Sequence, residues 1–232
     1  MRFVELLPAA LIAASCGGEP VAKAPEPRHE APRRATVASP KVTSELGTVD
    51  PGAVQGTFRR LEDQLVHCQS RGLARVDVLA GSLKFFLRIG ADGSARWAYL
   101  EESDIGDRDT EKCLLAVATS ARWPKPDGGD AEARYTMELP LQATRPPNAW
   151  PADKVAAALG RHGDAIDECK AGASALFRAT MYVGPGGRVL AAGIATSSKD
   201  GESSCDCLAN ELLRMKGLPS PGSWPAKVSF GL

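Results

Sequence analysis

Alternating apolar and polar side chains mark the strands of this 232-residue chain. Apolar residues occupy every second position from Leu83 to Ile89 and from Phe177 to Val183, which predicts two strands with one buried face each. A glycine-containing turn, Asp92-Gly93 or Gly186-Gly187, follows each strand. In the first region another strand follows from Ala95 to Leu100, and the second region repeats the pattern. Both regions are therefore predicted to be β-hairpins.

Helices are predicted before and after each hairpin. Upstream, apolar residues spaced by three and four occur in VQGTFRRLEDQLVHC and in DKVAAALGRHGDAIDEC. Downstream, TEKCLLAVATSARW and SCDCLANELLRM each follow residues that favour a helix N-terminus. The predicted cap residues are Asp109 or Thr110 in the first region and Ser203 or Ser204 in the second. The cysteines of these two segments are expected in the first helical turns.

The same landmarks occur twice at closely matching distances, which predicts an internal repeat. Each copy has an upstream cysteine, then a turn glycine followed by a serine, a second cysteine and a proline. The landmarks are Cys68, Gly93, Ser103, Cys113 and Pro124 in the first copy, and Cys169, Gly187, Ser197, Cys207 and Pro219 in the second. A last alternating strand completes each copy, from Tyr135 to Leu141 and from Val228 to Leu232.

These elements predict an α+β fold made of two tandem small domains, residues 52–145 and 149–232. Each domain is expected to run helix, strand, strand, helix, strand and to contain a three-stranded antiparallel sheet. The segment RPPNAWP separates them.

The N-terminal residues are typical of an export signal. Arg2 precedes a mainly apolar stretch from Leu6 to Ala14, and small residues lead to Cys16. We interpret residues 1–16 as a lipoprotein signal peptide with Cys16 as the lipid anchor, with an ordinary secretory signal as the alternative. Residues 17–51 are rich in proline and alanine and contain no aromatic side chain, which predicts a disordered tether. Glycine after the anchor cysteine favours the outer membrane, facing the periplasm.

Charge and motif content exclude several classes of function. The 28 lysines and arginines equal the 28 aspartates and glutamates, so no cationic excess is available for nucleic acid. The sequence contains no HExxH, GxSxG, Walker or CxxC motif. His67 and Cys68 are adjacent on a predicted helix and point in different directions, which disfavours a thiol protease. We expect no enzyme activity, no catalytic residue, no cofactor and no small-molecule substrate.

The two copies resemble the C-terminal domain of TonB, in its two-cysteine variant, the AgmX/PglI C-terminal domain. The first copy carries the resemblance in Cys68, LKFFLRI, Asp92-Gly93, Ser103, Cys113, Trp123-Pro124 and RYTMEL. The second copy carries it in Cys169, FRATMYV, Gly186-Gly187, Ser197, Cys207, Leu218-Pro219 and KVSFGL, and it lacks the tryptophan. A typical TonB protein also has an N-terminal transmembrane helix, which no apolar run of this chain is long enough to form.

The resemblance implies that the final strand of each copy pairs with an extended peptide from another protein. In this chain the implied binding edge of the first copy is Arg134, Tyr135, Thr136, Met137, Glu138 and Leu139. The corresponding segment of the second copy is Lys227 to Leu232, where Lys227 and the chain terminus can blunt the edge. Pairing of the two edges with each other is the alternative.

The cysteines divide into two pairs and two single residues. Equivalence of the copies selects disulfides Cys68–Cys113 and Cys169–Cys207, suited to an oxidising envelope. Cys205 is then a candidate free thiol, aligned with Glu111, and it is reactive, incidental or an alternative partner for Cys169. His162 with Cys169, Cys205 and Cys207 could form a zinc site, but their spacing fits no standard motif, and we expect no metal.

The sequence thus predicts a non-enzymatic, lipid-anchored envelope lipoprotein that binds another envelope protein. Two alternatives remain open at this point. One is a structural or assembly lipoprotein whose copies pack on each other. The other is a redox or metal-binding module built on Cys205 and Cys207.

Overall fold

The computed structural model describes residues 46–232. The predicted signal peptide, Cys16 and the tether as far as residue 45 lie outside the described residues. No helix within residues 46–232 is long and apolar enough to cross a membrane.

The described residues form a mixed α+β fold with five helices and two sheets, which confirms the predicted class. The elements of the first half are α1 (Pro51–Leu73), β1 (Gly81–Ile89), β2 (Ala95–Ser103), α2 (Arg108–Ser120) and β3 (Ala131–Leu139). Those of the second half are β4 (Asn148–Ala149), α3 (Asp153–Arg161), α4 (Gly163–Lys170), β5 (Phe177–Val183), β6 (Val189–Thr196), α5 (Lys199–Leu213) and β7 (Ala226–Gly231). A short 3₁₀ turn, Pro185–Gly187, joins β5 to β6.

The first sheet is antiparallel and has the strand order β2-β1-β3. The predicted alternation explains its core, because Phe85 and Leu87 of β1 are buried with Phe58 of α1 and Leu114 of α2. A disulfide joins Cys68 of α1 to Cys113 of α2.

The second sheet has the order β4-β7-β5-β6, so it has four strands and not the three that were predicted. The extra strand, β4, comes from the segment between the copies and pairs in parallel with Ala226 and Lys227 of β7. The single helix predicted before this sheet is interrupted at His162, where α3 ends and α4 begins. The second disulfide joins Cys169 of α4 to Cys207 of α5. Both disulfides are the pairs that equivalence of the copies predicts.

The fold begins before residue 52, the boundary expected from composition. The Asp50 carboxylate accepts hydrogen bonds from the first backbone amides of α1, which starts at Pro51. Ahead of it, the Gly47 amide donates to the Asp130 carbonyl at 2.8 Å. Part of the segment expected to be tether therefore belongs to the folded unit.

The helix that follows each hairpin begins earlier than predicted. The N-cap of α2 is Asp107, whose carboxylate accepts from the Thr110 amide at 3.2 Å and pairs with Arg75. The N-cap of α5 is Ser198. Consequently Cys113, Cys205 and Cys207 lie beyond the first turns of their helices.

Within residues 46–232 the two halves pack into one compact unit. Their inner edge strands, β2 and β6, approach each other without forming a ladder. Tyr182 of β5 is fully buried against the first half, where its hydroxyl donates to the Ala80 carbonyl at 3.2 Å. The arrangement leaves β3 at the outer edge of the first sheet and β7 near the outer edge of the second.

Candidate binding edge

The strand β3 is an edge strand, and its outward backbone groups can be assigned from the pairing of β1. The Ser82 carbonyl accepts from the Asp104 amide, and the Gly90 amide donates to the Ser94 carbonyl. The backbone amides and carbonyls of even-numbered residues of β1 therefore point toward β2. Because backbone direction alternates along a strand, odd-numbered residues of β1 point toward β3. The register Phe85 with Tyr135 then places odd-numbered residues of β3 against β1.

The outward residues of β3 are Glu132, Arg134, Thr136 and Glu138. The neighbouring Asp130 carbonyl points the same way and is bound by Gly47, which supports the assignment. Along the other four positions no backbone partner is present among residues 46–232. The edge therefore offers unpaired amides and carbonyls over most of its length, as strand addition requires.

Side chains on β3 divide into two faces, as predicted. Tyr135 and Met137 are half-buried toward the helices and Leu139 is buried, whereas Arg134 and Glu138 are exposed. The six residues predicted to form the binding edge thus share one continuous strand, which begins at Ala131 and ends at Leu139, earlier than expected.

A groove of about 400 Å³ runs beside the edge, between β3 and α1. The buried side chains Phe58 and Leu65 contribute to its lining, and Arg59 and Glu62 are exposed at its rim. Tyr135 forms the strand side of the groove and stacks on Phe58 with ring centroids 4.0 Å apart. Apolar and polar side chains share this lining, and the apolar ones can receive side chains at alternate positions of an added strand.

The opposite face of the edge is charged. Arg134 lies over the Phe86 ring at 4.5 Å and its Nε donates to Glu101 at 3.1 Å, so its guanidinium is held in place. Glu138 forms no ion pair with any residue from 46 to 232. The free Glu138 carboxylate therefore lies on the same face as the fixed Arg134 guanidinium, four residues away in sequence.

The outer edge of the second sheet is partly covered. Trp150 donates its backbone amide to the Lys227 carbonyl at 2.9 Å, which extends the β4 pairing along β7. The Lys227 ammonium donates to the Ala80 carbonyl at 2.8 Å, and burial lowers its pKa although Asp104 opposes this effect. The strands β3 and β7 belong to different sheets, so the two edges do not pair with each other within the chain.

A buried carboxylate occupies the contact between the inner edges. Glu111 of α2 is fully buried, accepts from the Ser103 hydroxyl at 2.7 Å and accepts from the Ile194 amide of β6 at 2.9 Å. It thereby satisfies an edge amide of the second sheet from the first half. The close approach requires glycine next to it, because a Cβ at Gly193 would lie 2.3 Å from the Glu111 carboxylate.

The surroundings of Cys205 disfavour a reactive role for its thiol. Its side chain is fully buried in the second turn of α5, and its thiol donates to the Gly201 carbonyl at 3.4 Å. Burial raises the pKa of this thiol, and the nearby Glu202 adds to the effect. The helix N-terminus is too far along the chain to favour the thiolate.

The arrangement of the thiols disfavours the redox and zinc alternatives in the same part of the chain. Cys207 and Cys169 are joined to each other, so neither is an available thiolate, and Cys205 has no free cysteine beside it within residues 46–232. His162 bonds instead to Glu211, with Nδ1 and Oε1 2.5 Å apart. The protease idea fails as well, because Cys68 is in a disulfide.

Sequence reasoning missed both β4 and the bridging role of Glu111. The segment NAW before α3 shows no alternation, and two paired residues are too few to leave a periodic signal. For Glu111 a signal was present, because a charged residue aligned with an apolar cysteine in the other copy indicates a buried polar contact.

Comparisons of this chain with protein-family models, with curated proteins and with solved structures find no match.

Proposed function

We propose that this chain is a non-enzymatic, lipid-anchored protein of the bacterial cell envelope, and that it binds an extended peptide of another envelope protein by strand addition to β3. The observation that carries the proposal is the free edge at Glu132, Arg134, Thr136 and Glu138, which lies beside a groove lined by both apolar and polar side chains. Backbone bonds supply affinity in this mode, and alternate side chains supply specificity.

The second sheet gives an internal example of the same interaction. Its last strand, β7, follows α5 as β3 follows α2, and β7 accepts the added strand β4. A short extended segment is thus sufficient to pair with the last strand of this fold. In the first half the segment before α1 pairs in the same way, since Leu46 forms a parallel bridge with Asp130. The edge beyond Asp130 is free among the described residues.

The side chains along the edge favour a peptide in which apolar and charged residues alternate. Apolar side chains at every second position would contact Tyr135 and Met137 in the groove. On the other face, a basic residue opposite Glu138 and an acidic residue near Arg134 would complement the fixed charges. A peptide of this kind, about five to eight residues long, matches the length of the open edge.

We further propose that the two halves are tandem domains related to the C-terminal domain of TonB, in its AgmX/PglI variant. Support comes from the shared strand order, since β2-β1-β3 matches β6-β5-β7, and from the disulfide that in each half joins a helix before the hairpin to the helix after it. Cys16 would hold the protein on the outer membrane facing the periplasm, with the segment after it as a tether.

Substitution of Thr136 by proline tests strand addition. Proline removes the outward amide of residue 136 and is tolerated at a sheet edge, so the fold is expected to persist while peptide binding is lost. Thr136→Val is the matched control, because it keeps the amide and a side chain of the same shape. The probe is a displayed library of random octapeptides, selected on the wild-type protein and then measured against both variants.

We expect selected peptides to bind the wild type and Thr136→Val and to lose at least about tenfold in affinity for Thr136→Pro. Circular dichroism on the same preparations establishes that the proline variant is folded. Equal affinity for a folded Thr136→Pro protein would refute strand addition at this edge, and so would a library that yields no binder.

The anchor is tested separately. Cys16→Ala is expected to abolish incorporation of radiolabelled fatty acid and to release the protein from the membrane fraction or block its processing. Absence of label in the wild type would remove the lipid anchor from the proposal and leave the ordinary secretory signal. The β3 edge would remain testable, because its residues belong to the folded part of the chain.

A structural or assembly lipoprotein is the second candidate. The specific observation in its favour is that the two halves pack into one compact unit. In that case the protein would lack peptide binders, and Thr136→Pro would leave its associations in detergent extracts unchanged. The octapeptide selection therefore separates the two candidates.

A further inference from the structure

The helices that follow the two hairpins, α2 and α5, meet at positions equidistant from their half-cystines. Arg108 lies five residues before Cys113, and Glu202 lies five residues before Cys207. The two side chains form an ion pair, with Arg108 Nη2 and Glu202 Oε1 2.6 Å apart. Equivalent positions of the two halves thus contact each other and carry opposite charges.

A second pair of equivalent positions repeats this relationship. Lys112 and Asp206 immediately precede the same two cysteines, and their side chains lie 2.9 Å apart. Asp206 also accepts from Arg108 Nε at 2.7 Å, which links the two pairs into one network. Both cations belong to α2 and both anions belong to α5.

The equivalent positions between these two ion pairs differ in side-chain length and do not carry charges of opposite sign. Glu111 and Cys205 each lie two residues before the half-cystine, and both side chains are fully buried. The longer glutamate spans the contact to the Ile194 amide, while the shorter cysteine occupies the counterpart position. Contacting residues therefore recur at spacings of three and four, on one face of each helix.

Pairing of two identical halves in this geometry would bring like charges together. Two copies of α2 would place Arg108 against its own equivalent, and the Arg108 side chain is only 9% exposed, so water would screen the repulsion poorly. Two copies of α5 would oppose Glu202 and Asp206 in the same way. Interfaces that discriminate between partners combine attraction to the correct partner with repulsion of the wrong one.

We infer that the α2–α5 contact is a charge-selected interface whose partner is the other half of the same chain, and that it excludes pairing between identical halves. The selecting residues are Arg108 and Lys112 on α2 and Glu202 and Asp206 on α5. This inference concerns the contact between halves and is independent of peptide binding at β3.

A cleavable form of the whole chain tests the inference. A protease site inserted between Gln142 and Ala143 lets the folded protein be cut after purification, and neither disulfide crosses the cut. The cut wild type is expected to remain a one-to-one complex of two different fragments, measured by native mass spectrometry and by size exclusion on dilution. Separation of the fragments, or complexes of identical fragments, would overturn the inference.

Charge reversal gives the decisive comparison. Arg108→Glu with Lys112→Glu is expected to weaken the cut complex at least about 100-fold, because the anions of α5 would then face anions. Reversal of the other side, Glu202→Arg with Asp206→Lys, is expected to weaken it equally. Combining all four substitutions should restore the complex to within about tenfold of the wild type, and failure to recover would refute selection by charge.

A second pair of substitutions, at more exposed positions, tests the inference even if the larger charge reversals prevent folding. Lys112 and Asp206 are each half-exposed, so Lys112→Glu and Asp206→Lys are expected to leave both halves folded. Lys112→Glu should weaken the cut complex about two- to fivefold, and Asp206→Lys should weaken it more because Asp206 also accepts from Arg108. The double exchange should bind more tightly than Asp206→Lys alone, because it restores an ion pair between positions 112 and 206. Additive effects without recovery would count against the inference even if the larger reversals failed to fold.

Discussion

Glu111 makes the stability of this protein depend on pH in the direction opposite to that of most carboxylates. Its carboxyl group is completely buried, and this burial raises its pKa from 4.5 to about 7. Asp107 adds to the rise, while hydrogen bonds from Ser103 and Ile194 and the charge of Arg108 oppose it. Loss of hydration therefore outweighs three favourable interactions of the ionised form.

The direction of this pH dependence follows from proton binding in the folded and unfolded states. The folded protein holds the Glu111 proton more tightly than the unfolded chain, so the contribution of this group to stability is complete below pH 4.5 and is lost as pH rises through about 7. Each pKa unit corresponds to about 1.36 kcal/mol, which gives a loss of about 3 kcal/mol between pH 4.5 and pH 8. That loss is a large fraction of the stability of an ordinary domain.

Glu111→Gln tests this reasoning because the amide resembles the protonated acid. Its oxygen can accept from the Ile194 amide and its NH₂ group can donate to the Ser103 hydroxyl, so the contact is preserved without a charge. We expect the variant to match the wild type within about 1 kcal/mol at pH 5 and to exceed it by about 3 kcal/mol at pH 8. Urea denaturation at pH 5, 6, 7 and 8 measures both proteins under identical conditions.

Comparison at each pH cancels the titration of all other groups. A wild-type protein as stable as Glu111→Gln at every pH would show that the carboxyl group titrates normally in the folded state. A variant that is less stable by the same amount at pH 5 and pH 8 would show that the carboxylate is required for the contact. Either result would refute the argument.

Two further predictions concern the cysteines. Cys68→Ser opens a disulfide whose cysteines are 45 residues apart in sequence, and it should lower the free energy of unfolding by about 4 kcal/mol, seen as a lower urea midpoint; an unchanged midpoint would contradict the chain-entropy argument. Cys205 should not react with an aromatic disulfide reagent in the folded protein. After unfolding in urea, Cys205→Ala should have one reactive thiol fewer than the wild type. Rapid labelling of the folded wild type that is absent from Cys205→Ala would show that this thiol is accessible.

Local periodicity was sufficient for the strands other than β4, and equivalence of the copies for the two disulfide pairs, but neither located the helix starts. The alternation from Leu83 to Ile89 matches β1 because one face of that strand is covered by helices and the other carries charges. The start of α2 depends on Asp107, which is held by Arg75 from the end of α1, and such a contact between distant segments leaves no local pattern. The interruption of the next helix at His162 was missed in the same way.

The edge strand β3 could be located from sequence, but its surroundings could not. Alternation and resemblance together identified residues 134–139 as one strand with two faces, and the structure has them in β3. Three features follow from how the halves pack: the inner edges face each other, β4 lies on β7, and Glu111 bridges the halves. Packing between halves joins residues such as Glu111 and Ile194, far apart in sequence, without any repeated signal.

The unequal treatment of the sheet edges also limits how copies of this protein could polymerise. Growth of a fibre by edge pairing requires each subunit to offer two free edges, one for each neighbour. Here β2 and β6 face each other and β7 carries β4, so β3 is the one long free edge among residues 46–232. Two chains that paired through β3 would each have used it, and growth by that route would stop at two subunits.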